Sequence, residues 1–236
     1  MKILSFDSTA KAASAAVLEN DKVLSSFTID NGVTQSELLL PMAEDMLKNL
    51  KLTFRDIELY ACSVGPGSFT GVRIGTALVK GLAFGRNIPC VGVSTLEGLA
   101  ENLAGMRDLI VPVMDARRGQ YYTAIFSYES QMTRLTEDEA LSAEALGQKL
   151  CELGKGKKIY LVGDGYNSAK AALDKLGVYT EDTPPLLILE NAASVGAVAY
   201  RKYISGDFCS DTDLKPTYLR LPQAERERLE RLSKEK

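Results

Sequence analysis

The sequence predicts an α/β protein of two pseudo-repeated lobes, each a mixed β-sheet flanked by helices. Three observations carry that expectation. Short apolar runs alternate with longer segments of helical period. LIVPVMDARRGQYYTAIF (Leu109–Phe126) echoes KILSFDSTAKAASAAVL (Lys2–Leu18): an apolar strand ending in Asp, a turn, then a second strand. KIYLVGDG (Lys158–Gly165) echoes LYACSVGPG (Leu59–Gly67) in the same order. The boundary falls near Gly105–Asp108, giving an N-terminal lobe over 1–106, a C-terminal lobe over 107–221 and a charged tail over 222–236.

Lys2–Asp7 reads as a strand closed by a Ser-Thr-Ala-Lys turn, and Ala12–Leu18 as the next. Asn20-Asp21 is a hairpin turn into a third strand, Val23–Ile29. Gln35–Leu50 has helical period, with Ser36 as its expected N-cap. Leu59–Val64 is a strand that breaks into Gly65-Pro66-Gly67-Ser68 and opens a helix over Phe69–Gly85, capped by Ser68. A short strand (Pro89–Val93) and a helix (Thr95–Leu103) complete the first lobe. In the second, a helix over Ala143–Leu153 precedes the Lys158–Gly165 strand and one over Asn167–Leu176 follows it. Asn191–Ser205 is a late helix, and LKPTYLR (Leu214–Arg220) brings the chain back to the body. From Pro222 onward Glu alternates with Arg, as in a solvated helix or a frayed end.

Composition narrows the chemistry. With 236 residues, 45% apolar and 25% charged, the chain has ample material for a buried core. A net charge of −3 is wrong for a groove that grips nucleic acid unaided, so a role on RNA calls for a partner that brings positive charge. Cys62, Cys90, Cys151 and Cys209 are far apart and form no CxxC pair, so they read as free thiols in a reducing cytoplasm. MKILSFDST enters a strand at once, and no run is long and apolar enough to span a membrane. There is no histidine, which removes His-dependent triads, His metal sites and imidazole acid–base catalysis together. Without a histidine or a metal pair, a peptidase has no machinery here.

The glycines of SVGPGSFTGVRIG pose the functional question. Gly65-x-Gly67-x-x-x-Gly71 misses the dinucleotide fingerprint by one position, where Thr70 stands, and no Lys-Ser/Thr pair makes a P-loop. On a helical wheel Gly71, Gly75, Leu78 and Leu82 share a stripe, with Gly81 and Gly85 beside it and Arg73, Thr76 and Lys80 opposite. Interior helix glycines each sacrifice about 1 kcal/mol relative to alanine, a loss tolerated where another backbone approaches closely. The Gln35–Leu50 helix has an apolar arc wider than one core contact requires, from Leu38, Leu39 and Met42 to Met46. One reading is a deep core beneath both helices. The other is that the helices lie side by side and present Leu38, Leu39, Met42, Met46, Phe69, Gly71, Arg73, Ile74, Gly75, Leu78 and Leu82 to another subunit.

ILSFDST, ELLLP, GPGSFTGVRIG, DARRGQYY and KPTYLR together resemble the TsaB family, the non-catalytic members of the bacterial apparatus that makes N6-threonylcarbamoyladenosine in tRNA. The resemblance spans Lys2 to Arg220 and implies an actin/Hsp70/sugar-kinase fold with RNase H-like lobes. It also implies pairing with the catalytic relative TsaD, a larger assembly with TsaE, contact with tRNA only through that complex, and a homodimer in isolation. TsaD-like sequences carry a metal-binding His-x-x-x-His after a similar Pro-x-x-Gly-Val stretch. Here Thr95 and Leu99 hold the two ligand positions, with Glu97 and Gly98 between them, and neither can replace an imidazole. In this fold two Asp-containing turns, one per lobe, clasp phosphates. The first, Asp7-Ser8-Thr9, lacks a glycine, and the second, Asp115-Ala116-Arg117-Arg118, puts two bulky cations in its place. Gly163 and Gly165 stand where sugar kinases use glycines near adenine, or simply make a strand-to-helix turn. Asp7 and Asp115 are expected to cap their turns, and Arg118 to make an ion pair or stack on Tyr121. The resulting expectation is a scaffold subunit with a degenerate nucleotide cleft, no metal, and no cofactor held strongly by the chain alone, any nucleotide sitting at the junction with its partner. The alternative is a small-molecule kinase acting through Asp7 and Asp115.

Overall fold

The structure is a computed structural model and describes residues 1–220, so the charged tail lies outside it. The first sheet takes its five strands in the order β3-β2-β1-β4-β5: β1 (Lys2–Asp7), β2 (Ala13–Glu19), β3 (Lys22–Ile29), β4 (Leu59–Gly65) and β5 (Cys90–Ser94). β1 and β2 pair antiparallel from Lys2–Glu19 to Asp7–Ser14, and β4 lies parallel to β1 on its other side. The hairpin turns at Asn20, whose φ of 57° suits a short polar side chain.

Both faces of this sheet are covered, which is why its inner strands read as unbroken apolar runs. Leu4, Phe6, Val17 and Tyr60 face α1 (Gln35–Asn49) and α2 (Phe69–Ala83). Ile3, Ala16, Leu18, Leu59 and Val91 face α6 (Ala192–Ile204) instead. α6 seats closely because Ser5 Oγ donates to Ala192 O at 2.6 Å and Gly196 lies flat against Leu18. The helix begins at Gln35 behind Thr34, so Ser36 is not its N-cap. Thr34 is the better-placed residue: its hydroxyl reaches Glu37 Oε1 at 2.6 Å, and Ser36 lies inside the first turn.

The second sheet repeats the plan with a broken middle strand. β7 (Gln120–Thr123) and β8 (Phe126–Tyr128) pair with successive parts of β6 (Asp108–Asp115) in one register, Val113 opposite Thr123 and Ile110 opposite Phe126. β9 (Met132–Arg134) and β10 (Glu139–Ser142) line their outer edge. β11 (Ile159–Val162) lies parallel to β6 on its other side, as β4 does to β1. α4 (Ala143–Leu153) and α5 (Tyr166–Lys175) cover one face through Leu146, Leu150, Ala169 and Leu173. α3 (Thr95–Glu101) covers the other through Leu96, Leu99 and Ala100.

α3 and α6 meet between the sheets, where Arg201 forks onto Glu101 at 2.6 and 3.0 Å and Ser194 bonds Asn102 at 2.7 Å. The lobes in space are not two consecutive halves of the chain. α6 and the segment after it belong to the first sheet, through the Cys90–Cys209 pairing and buried Leu214. Residues 1–106 leave one face of that sheet without a helix, and the apolar side of α6 supplies it.

α2 corrects the wheel. Gly71 and Gly75 point into the molecule: a Cβ on Gly71 would sit 1.9 Å from Ser8 O, and one on Gly75 2.6 Å from Ser8 Oγ. Thr76 is buried too, bonding back to Val72 O, and Lys80 reaches the carbonyls of Thr212 and Leu214. In α1, Leu39, Met42 and Met46 are buried in the chain's own core. Those five expected interface residues, Leu39, Met42, Met46, Gly71 and Gly75, are therefore internal contacts; the deep-core reading applies to them.

The exposed ridge of α2 runs instead through Thr70, Arg73, Ala77, Gly81 and Phe84. Two α2 glycines thus make opposite predictions. Gly71→Ala forces a methyl into a carbonyl and should destabilise the protein by about 1–3 kcal/mol. Gly81→Ala meets open space and should stabilise it by about 0.5–1 kcal/mol through helix propensity. Urea unfolding of both variants checks this; a Gly71→Ala protein as stable as its parent would be inconsistent with the close approach.

Candidate functional site

The two Asp turns stand at the C-terminal ends of β1 and β6, the strand ends at which α/β sheets bind their ligands. Asp7 is 2% exposed and spends its carboxylate internally. Oδ1 accepts from Thr9 N at 2.9 Å and from Thr9 Oγ1 at 2.7 Å, and Oδ2 accepts from Ser63 Oγ at 2.5 Å. Burial pushes its pKa above the ordinary value, against the pull of those hydrogen bonds.

The turn itself is held from behind. Ser68 N donates to Thr9 O at 2.7 Å, and Ser8 Oγ donates to Gly71 O at 2.8 Å. A phosphate-binding turn must offer inward-facing N–H groups. Ser8 and Thr9, both 1% exposed, are instead locked against α2 by its glycines.

In the second turn Asp115 Oδ1 accepts from Arg117 N at 2.7 Å, so Asp115 caps as Asp7 does. Arg117 and Arg118 bend with φ of 61° and 56°, where glycine is the easier residue. Arg118 makes no ion pair among the described residues, and the Tyr121 ring rests on Gly165. Beside this turn it is Arg220 that lies over an aromatic ring, 5.7 Å from Tyr122, and its Nη1 donates to Ala116 O at 2.8 Å. Gly163 and Gly165 press on the β6 backbone, where Cβ atoms would lie 2.5 and 2.9 Å from Val113 O. Between them Asp164 Oδ1 accepts from Asp115 N at 3.0 Å, joining this turn to the second Asp turn.

Sequence reasoning missed Glu190. It is 2% exposed, and neither carboxylate oxygen has a hydrogen-bond partner. Burial first, then the like charges of Asp7 and Asp164, push its pKa well above the ordinary value. Glu190 lies close enough to Asp7 and Asp164 for their carboxyls to disfavour one another's ionisation, and among the described residues no group of three or more His, Cys, Asp or Glu is placed to hold a metal ion. At the positions of the TsaD-like metal ligands, Leu99 packs in the apolar core, and Thr95 is fully buried with its hydroxyl unpaired.

The second feature is the outer face of α1 and α2. Ala77 and Gly81 form a low ridge on α2, flanked by half-buried Ile74, Leu78 and Leu82, with Leu38 on α1 alongside. Phe69 and Arg73 stand at one end: Arg73 lies 3.8 Å over the Phe69 ring and donates from Nε to the Tyr218 hydroxyl at 2.9 Å. Tyr218 packs on Phe69 at 4.8 Å, and Thr217 N bonds Val64 O at 2.7 Å. The KPTYLR segment thus braces both the start of α2 and, through Arg220, the second Asp turn.

Two sheets of repeated plan with helices between them define an actin/Hsp70/sugar-kinase-like fold, here with the Asp7 carboxylate bonded to its own turn. The (R)-2-hydroxyglutaryl-CoA dehydratase component A of Acidaminococcus fermentans is such a neighbour, at a TM-score of 0.51 and 13% identity over 86% of this chain and 99% of that one. A structure titled YeaZ from Pseudomonas aeruginosa superposes at a TM-score of 0.74 over 92% of this chain and 99% of that one, with 22% identity. Residues 34–226 match the family model described as TsaD: tRNA N6-adenosine threonylcarbamoyltransferase. The tRNA threonylcarbamoyladenosine biosynthesis protein TsaB of Escherichia coli (strain K12) is 30% identical over 93% of this chain and 95% of its own length. The protein of the same name from Bacillus subtilis (strain 168) is 36% identical over 55% of this chain and 57% of its own. The chain belongs to the TsaB family.

Glu190 gives a pH prediction. Because its folded-state pKa is raised, the folded protein binds more protons than the unfolded chain above the ordinary glutamate value of about 4.3. Its contribution to stability is therefore fully present at low pH and is lost as pH rises through the folded-state value. Asp7 and Asp164, also raised, add slopes of the same sign. Glu190→Gln should flatten the fall in unfolding free energy as pH rises above the ordinary glutamate range. Parallel pH profiles for the two proteins would refute the assignment.

Proposed function

We propose that the protein acts in tRNA threonylcarbamoyladenosine biosynthesis as a non-catalytic scaffold subunit that docks a TsaD-type threonylcarbamoyltransferase on the outer face of α1 and α2. The carrying observation is the α2 ridge. Ala77 and Gly81 are exposed and small, so a partner helix can approach closely, and Ile74, Leu78, Leu82 and Leu38 offer half-buried apolar surface beside them. Phe69 and Arg73 give the face an aromatic and cationic end of the kind that anchors interfaces.

The cleft supports the division of labour. A kinase working through Asp7 and Asp115 needs carboxylates free to hold a metal and N–H groups free to hold phosphate. Here Asp7 is sealed by Ser63 and Thr9, and the Thr9 N–H is spent on Asp7 Oδ1. Transfer of the threonylcarbamoyl group to adenosine belongs to the partner. This chain supplies the surface that stabilises it and completes an assembly with the TsaE-type ATPase. A nucleotide, where the assembly requires one, sits at the junction between subunits, and tRNA meets the assembled complex. Alone, the same face pairs with a second copy of the chain.

Ala77→Arg tests this cleanly, because Ala77 is exposed and the fold does not depend on it. The variant should melt like its parent yet fail to co-elute with a TsaD-family protein on size exclusion, elute as a monomer alone, and lose at least tenfold in a reconstituted modification assay. Leu78→Arg, half-buried beside it and packed on the core, should also lose both pairings, at some cost in stability. Co-elution of Ala77→Arg with the transferase, undiminished, would overturn the docking face.

A further inference from the structure

Cys90 and Cys209 face each other where the segment after α6 joins the first sheet. Cys90 N donates to Cys209 O and Cys209 N donates to Cys90 O, both at 2.9 Å. This is a directly opposed, hydrogen-bonded antiparallel pair. Such pairs hold their Cα atoms about 5.5 Å apart, within the roughly 4.4–6.8 Å over which two cysteines can be bridged without moving backbone. Opposed side chains leave the same face of a sheet, and both cysteines belong to the core cluster beneath α2. Cys90 is fully buried and Cys209 partly exposed. A surface cavity of about 250 Å³, lined by both residues with Val64, Gly92 and Phe208, gives a small reagent its approach.

We propose that Cys90 and Cys209 form a reversible intrachain disulfide by exchange with a small-molecule disulfide such as oxidised glutathione. The Cys209 thiolate attacks one sulfur of glutathione disulfide; one glutathione thiolate leaves and takes up the proton that Cys209 lost. The Cys90 thiolate then attacks the Cys209 sulfur of the mixed disulfide, and the second glutathione leaves with the Cys90 proton. Two protein thiols are oxidised to one disulfide, and one small disulfide is reduced to two thiols.

Burial pushes the Cys90 thiol up to about 12 and raises Cys209 as well, where Asp213 and Asp207 add to the effect. The exchange is accordingly slow at neutral pH and quickens about tenfold per pH unit in the alkaline range. The bond ties β5 to the segment whose carbonyls at Thr212 and Leu214 hold Lys80 and whose Thr217 braces β4. It is a lock behind α2, the helix that carries the docking ridge.

The test uses the full chain with its exposed Cys151 changed to serine, to suppress cross-linking between molecules. The reduced protein is incubated with oxidised glutathione at about pH 8.5, quenched in acid, alkylated and mapped by mass spectrometry. The expected product is a monomer lighter by about two mass units, with one Cys90–Cys209 peptide, a raised melting temperature and full reversal by dithiothreitol. Adding Cys90→Ser should leave a stable glutathione adduct on Cys209. Accumulation of that adduct in the parent with Cys90 still free would overturn the proposal. So would a bond from Cys90 to Cys62, its neighbour on the same face of β4.

Discussion

The approach of α2 to the turn after β1 governs the rest of the architecture. Gly71 has no side chain, so the first turn of the helix can rest on the Ser8 carbonyl, and Ser8 and Thr9 are then held by Gly71 O and Ser68 N. Two consequences follow from one contact. The turn that would receive a phosphate is filled from within, and α2 is held so that Ala77 and Gly81 face outward.

A second set of contacts spans the lobes. Thr217, Tyr218 and Arg220 tie one short segment to the end of β4, to the start of α2 and to the second Asp turn. Asp164 and Glu190 influence one another, Glu190 also feels Asp7, and burial favours the protonated form of each.

Much of this was legible in the sequence, because strands covered on both faces and helices with strong period leave clear patterns. Lys2–Asp7, Gln35–Asn49 and Ala143–Leu153 appear where periodicity puts them, and the echo of Leu109–Phe126 with Lys2–Leu18 corresponds to a repeated sheet plan. The direction of the glycines was not legible. A bare position on a helical wheel says that a backbone comes close but not whose, and Gly71 and Gly81 answer that in opposite ways. Met42 and Met46 misled for a related reason: an adaptable apolar side chain suits a core and a docking surface equally. Glu190 left no signal in LLILEN, since its environment is assembled from β1, β11 and the start of α6. The short strands β9 and β10 are too brief to show alternation.

The path of α6 has a bearing on how the molecule is made. The sheet that begins at Lys2 keeps one apolar face bare until a helix nearly two hundred residues later arrives to shield it. The strands made first are thus shielded last: until Ala192–Ile204 has been synthesised, Ile3, Leu18, Leu59 and Val91 lack the cover they have in the folded protein.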